Sequence, residues 1–259
     1  NAHYYKSQCL IFYKEFFKAK EDLIYVYKQG NSKFSEKVLS QLCDIYHYEE
    51  QDWNNAFTSY QKLYHIAEYR SNKTKAIKGL SISSYELEKY KTCIKYGKLV
   101  LDSNEYQVSE DNYLVQFYMA KSYYDLNKLD SAYQLFDSLS IDQNNSFSVE
   151  AFYWKTMIHF KNAEYDTCKK LCYYFISDIP TNEYWRVRCF ILLADIFSIE
   201  HNNYQAKATL ESILENYTGD DLRSIAKEKL DSIIKEEKPS ILFKIYFTTQ
   251  NSLRICIKS

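Results

Sequence analysis

Apolar residues along this chain recur at helical spacing, and small residues recur within that pattern at a nearly fixed interval. Phe16-x-x-Ala19 is followed by Leu23 and Val26, Trp53-x-x-Ala56 by Tyr60 and Leu63, and Tyr90-x-x-Cys93 by Val100. Leu129-x-x-Ala132 is followed by Phe136 and Leu139, Tyr165-x-x-Cys168 by Cys172 and Phe175, and a sixth small residue, Ala206, by Leu210 and Ile213. These small residues are 37, 37, 39, 36 and 38 positions apart. An interval that recurs five times in succession defines an internal repeat. Before each small residue from Ala56 onward lies a second amphipathic stretch: Leu42, Ile45, Tyr46; Ala76, Leu80, Ile82, Ser83; Phe117, Ala120, Tyr123, Tyr124; Tyr153, Thr156, Met157, Phe160; Ile191, Ala194, Phe197.

Each unit therefore reads as helix A, a short polar turn and helix B. The turns are Glu49-Glu50-Gln51-Asp52, Glu86-Leu87-Glu88-Lys89, Asn127-Lys128, Lys161-Asn162-Ala163-Glu164 and His201-Asn202-Asn203. Asn tolerates positive φ, so the expectation is that Asn takes the place of Gly at these helix ends. Two helices approach to about 8–10 Å only where the side chains at the crossing are short, which gives the Ala and Cys positions their role. One such hairpin cannot bury its apolar stripe alone, whereas stacked hairpins can. The prediction is an all-α solenoid of about six helical hairpins.

Composition agrees and narrows the function. Gly and Pro together number six in 259 residues, against roughly 12 % in average usage, so turn-rich β folds and Rossmann-like folds are nearly excluded. Lys+Arg 33 against Asp+Glu 34 leaves a net charge of -1, without the basic excess of a nucleic-acid binder. Seven scattered cysteines without CxxC read as buried thiols rather than a disulfide framework. No apolar run approaches the roughly 20 residues of a membrane-spanning helix. The opening Asn1-Ala2-His3 lacks a methionine and any secretory leader; the expectation is a fragment of a longer protein.

The unit from Ala120 to Leu139 resembles the tetratricopeptide repeat: Ala120, Tyr123, Leu129, Ala132, Phe136 and Leu139 match its small and aromatic positions, and Pro180 follows Cys168 where the family has its closing proline. The period is longer than the family's roughly 34 residues, and the turn glycine is missing. A narrower likeness covers Tyr184–Asp195 and Tyr204–Tyr217, which resemble the last repeat of large tetratricopeptide proteins of the bacterial cell envelope, the group that includes lipoproteins of gliding motility and type IX secretion. That likeness implies an envelope scaffold, periplasmic or associated with the outer membrane.

After Gly219, Asp220 is a suitable N-cap for a last helix of about residues 221–236, polar on one side, as a solenoid's end requires. The solenoid and this cap are read as residues 1–237. Residues 238–259 form a basic, apolar extension with four cations and no carboxylate. It is read as packing on the last repeats, or as a peripheral contact with a membrane surface or a neighbouring protein.

No motif for catalysis emerges. Gly30, Gly79, Gly97 and Gly219 are too dispersed for a phosphate loop or nucleophile elbow. The five histidines form no HExxH, and His47 and His159 fall near A-helix ends as structural histidines. Cys168 and Cys172 share a helical face but are core positions without a third ligand. The reading is a non-enzymatic protein without metal or cofactor. The family resemblance implies that A helices line a concave groove. Its candidate residues are Gln41, Tyr48, Lys78, Tyr85, Phe117, Lys121, Tyr124, Tyr153, Phe160, Arg188 and Asp195. The partner expected there is a protein or peptide. A second reading is the peptide- or ligand-sensing portion of a larger signalling or transcription regulator. A third, carbohydrate binding, wants an exposed Trp platform, whereas Trp53 and Trp154 read as buried at repeat seams.

Overall fold

A computed structural model describes residues 2–30, 32–102, 110–141, 146–178 and 183–237. Among them are thirteen α-helices and no strand. Six pairs follow in order: α1 (Ala2–Phe12) and α2 (Phe16–Lys28), α3 (Ser32–Asp44) and α4 (Trp53–Ile66), α5 (Arg70–Glu86) and α6 (Tyr90–Leu101), α7 (Glu110–Asp125) and α8 (Leu129–Ile141), α9 (Ser148–Lys161) and α10 (Tyr165–Asp178), α11 (Glu183–Ile199) and α12 (Asn203–Asn216). The last, α13 (Asp220–Glu237), matches the expected cap to within a residue at each end. The chain divides into two compact units, Asn1–Ile158 and His159–Ser259. The extension from 238 onward and Pro180 lie outside the described residues.

The small positions do what their spacing implies. Ala19, Ala56, Cys93, Ala132, Cys168 and Ala206 all have zero exposure. Each core joins a hairpin to the A helix that follows it. Ala56, Tyr60 and Leu63 of α4 pack with Leu39 and Cys43 of α3 and with Ala76 and Leu80 of α5. In the second unit Ala206, Leu210 and Ile213 pack with Val187, Ile191 and Ala194 of α11 and with Leu222, Ala226 and Leu230 of α13. Of the six described cysteines, all are free and five are buried; Cys9 is the exception to the buried-thiol expectation.

Every A-to-B link is three residues long with its middle residue at positive φ: Lys14, Gln51, Glu88, Asn127, Ala163 and His201, all between 51° and 60°. In five of the six the next residue's N–H reaches back five positions, as in Lys89 to Ser84 (2.8 Å) and Lys128 to Tyr123 (2.8 Å), closing a Schellman motif on the orphan carbonyls. Asn therefore fills the left-handed position only at Asn127. Asn162 and Asn202 stand beside it, and Asn202 instead caps α12 by accepting from Gln205 N–H (3.3 Å). Neighbouring packing over-determines the turn, so ordinary residues accept the strain.

The second hairpin carries one residue more. Here α3 runs on into a π-helical turn, Ile45–Glu49, and Asp52 N–H reaches back six positions to Tyr46 (2.8 Å). The insertion is absorbed as a bulge, with Ile45 and His47 held inward and Tyr48 outward.

Exposed ion pairs recur in three of the units. The lysine after a small position meets a glutamate about thirty residues on: Lys20 with Glu50 (2.5 Å), Lys169 with Glu200 (2.6 Å) and Lys207 with Glu237 (2.6 Å). Such pairs are worth about 0–1 kcal/mol each. Glu237 at the end of α13 thus stands where Glu50 and Glu200 stand, and the cap has the position of a seventh A helix.

Replacing Gln51, Glu88 or Ala163 by Gly relieves the left-handed strain and is expected to raise stability by about 1 kcal/mol per site. Urea denaturation checks this; the same change at Asn127 should give the smallest gain.

Candidate functional site

Successive A helices touch one another, α3 with α5 and α5 with α7, whereas contact of that extent does not join successive B helices among the described residues. The A helices thus form the more closely packed layer of the first unit. On it a cavity of about 170 Å³ opens between the π-helical turn, α4, α5 and α7, lined by His47, Tyr48, Tyr60, Lys75, Lys78 and Leu114 among others.

Gly79 makes this cavity possible. It lies inside α5, where a side chain would ordinarily be free, but a Cβ there would clash with the ring of Tyr60. The missing side chain lets Tyr60 lie across α5, and its hydroxyl reaches His47 Nδ1 at 3.1 Å. His47 is 7 % exposed and Tyr60 1 %. Burial, and after it the charge of Lys75, push the His47 pKa down to about 4. Burial likewise pushes the Tyr60 phenol up. The pair is neutral at pH 7. Lys75 is held by Asp44 (2.7 Å) and by Ser40 Oγ (2.9 Å).

Farther along the same face, Lys121 of α7 stands among three rings. Its Nζ lies 5.1 Å from the centroid of Tyr85, 5.4 Å from Trp154 and 5.6 Å from Phe117. Cation–π attraction holds the ammonium there, and no carboxylate or carbonyl pairs with it among the described residues. The rings are fixed in turn. Trp154 donates through Nε1 to Glu150 (3.0 Å). The Tyr85 phenol is pushed up by burial and then by the Asp125 carboxylate that accepts its hydrogen bond.

The other candidates divide by what they touch. Tyr48 is 67 % exposed at the cavity's edge and Lys78 lines it. Tyr124 is half-buried, edge-on to Trp154. Gln41 exchanges amide hydrogen bonds with Gln8 of α1, at 2.6 and 2.9 Å, stitching two A helices together. Phe117 and Tyr153 are core residues at 4 and 5 % exposure. Phe117 packs on Phe136 and Phe147, so it backs the face rather than presenting a surface. In the second unit Phe160 lies against Tyr165, Arg188 lies over Tyr184 and Trp185, and Asp195 accepts from Lys229 of α13 at 2.6 Å. Asp195 and Lys229 border a groove of about 440 Å³ between α11 and α13.

Two expectations change. Trp53 and Trp154 are half-buried rather than buried, because Trp154 turns one face to Lys121 and Tyr124. Tyr60, Lys75 and Gly79 were missed as site residues. The signal for them was an isolated glycine inside a helical stretch, which marks a close approach. His159 is hydrogen-bonded to Glu164 (2.6 Å), as its place at a helix end implies. Cys168 and Cys172 are fully buried, and among the described residues no group of His, Cys, Asp or Glu is placed to hold a metal ion.

No family model and no curated protein matches the sequence. Solved structures do resemble the fold. A tetratricopeptide repeat protein from Parabacteroides merdae is 14 % identical with a TM-score of 0.57, over 90 % of this chain and 98 % of that one. PilW, described as a type IV pilus biogenesis factor, is 11 % identical with a TM-score of 0.60, over 87 and 97 % of the two chains. PilF of Pseudomonas aeruginosa is 14 % identical with a TM-score of 0.57, over 91 and 96 %. The chain has the tetratricopeptide-repeat fold, an all-helical solenoid of hairpins.

Gly79→Ala should destabilise the protein by about 2 kcal/mol through overpacking on Tyr60, opposite in sign to the roughly 1 kcal/mol gain of Gly→Ala in an open helix; thermal denaturation decides. Because the folded state lowers the His47 pKa, the unfolded chain binds more protons between about pH 6.5 and 4. Stability should therefore fall across that window, by up to about 3 kcal/mol. In His47→Gln, denaturant midpoints measured through the same range should fall less.

Proposed function

We propose that the chain is a protein-binding scaffold that holds a partner protein or peptide on the inner, A-helix faces of its hairpins. The observation that carries this reading is Lys121. A surface lysine normally loses about 2 kcal/mol of rotamer freedom when fixed, and here three rings have already fixed it beside half-buried tyrosines. Aromatic and cationic groups ordered in advance give contact area and hydrogen-bond donors at low cost on binding. Arg188 over Tyr184 and Trp185 repeats the arrangement in the second unit.

The proposal extends to an assembly of the bacterial cell envelope. It draws on the likeness of residues 184–217 to envelope repeat proteins, and on PilW, described as a pilus biogenesis factor, among the similar folds.

Affinity capture from the native organism, with the full chain as bait, tests the reading. Lys121→Ala, Tyr124→Ala and Arg188→Ala should each weaken capture tenfold or more, about 1.4 kcal/mol, with unchanged melting temperature. Retention by all three variants would remove the partner from the inner faces.

A further inference from the structure

The groove of about 440 Å³ between α11 and α13 is apolar below and acidic at its walls. Ala194, Leu210 and Ile233 are its buried apolar residues, and Ile225, which lines it too, is 36 % exposed. Of the charged groups on its walls, Asp195 and Lys229 satisfy each other at 2.6 Å. Glu228 and Glu236 are exposed and meet no cation among the described residues. A segment that fits this groove must therefore bring apolar side chains and positive charge together.

The residues that follow α13 have that composition. From 238 to 259, outside the described residues, the sequence holds Lys238, Lys244, Arg254 and Lys258 and no Asp or Glu. Its most apolar run is Ile241-Leu242-Phe243-Lys244-Ile245-Tyr246-Phe247, with one cation at the centre. The segment also starts at the groove's own edge, because Glu236 lines the groove and α13 ends one residue later, at Glu237. Pro239 has no N–H with which to prolong the helix, and Lys238-Pro239-Ser240 supply three residues for a reversal. Reach is sufficient. The α13 wall from Ile225 to Glu236 is about 16 Å long, and seven residues span about 23 Å when extended.

We propose that residues 241–247 dock in the α11–α13 groove of their own chain, with their apolar side chains against Ile225 and Ile233 and with Lys244 beside Glu228. Of the two roles that the sequence leaves for the extension, the groove favours packing on the last repeats over contact with a membrane surface, because its carboxylates answer the same cations that a lipid headgroup would. The inference stands on the groove and does not require the scaffold reading. Where both hold, the tail competes with any partner for the surface around Asp195, and a partner reaches that surface only when the tail leaves it.

The test is zero-length carbodiimide cross-linking of the full chain at low salt, read by peptide mass spectrometry. Lys244 should join Glu228 at least fivefold more often than Asp231, which is exposed on α13 outside the groove. Bonds from Lys238 are disregarded, since sequence alone keeps it near Glu236. Phe243→Ser leaves every charge in place and should lower the Lys244–Glu228 yield at least fivefold. Glu228→Lys should abolish that cross-link, and combining it with Lys244→Glu should restore a bond between the same two positions. An even spread of Lys244 over Glu228 and Asp231, or a yield indifferent to Phe243→Ser, overturns the inference. In a mixture of nitrogen-15-labelled and unlabelled protein, cross-links within one chain support it, whereas cross-links between the isotopes overturn it and assign the groove to a second copy. Sedimentation of the full chain with phosphatidylserine vesicles, in the absence of the Lys244–Glu228 bond, overturns it in favour of the membrane.

Discussion

Close approach of two helices at a point with almost no side chain is the constraint on which this structure depends. Where Ala19, Ala56, Cys93, Ala132, Cys168 and Ala206 cross their neighbours, each hairpin closes far enough for the larger residues beside them to interdigitate with the next A helix. No hairpin owns a complete core. Each borrows a wall from its successor, so the elements are stable only as a series.

The fold was legible because that constraint is written as spacing, and spacing survives in a single sequence. The small positions and the pairing of helices follow from it, and the extent of α13 follows from Gly219, Asp220 and the polar side of that helix. The turn chemistry was harder to read. Local preference favours Asn at positive φ, but the three-residue link fixes which position must adopt it, and Ala163 and His201 take it beside available asparagines. The π-helical turn was invisible for a related reason: an extra residue can be absorbed in a link or in a helix, and only the packing of Ile45 in the α2–α3 core and of His47 against Trp53 and Tyr60 of α4 decides between them.

The candidate site was half legible. The resemblance to tetratricopeptide repeats points to one side of each A helix, and Lys78, Lys121 and Tyr124 keep part of their surface exposed there. It could not separate that face from the flank, because an A helix meets neighbours on three sides; Phe117 and Tyr153 therefore lie in the core. The His47–Tyr60 pair depends on a void at Gly79, and a void leaves no periodic trace.

The latch from Lys20 to Glu50, repeated at Lys169 and Lys207, joins surface groups whose strength is slight. Its value is positional, since each copy spans thirty or thirty-one residues from one module to the next. A joint that is identical wherever it occurs lets such an array gain or lose whole modules in evolution without redesigning the contacts between them.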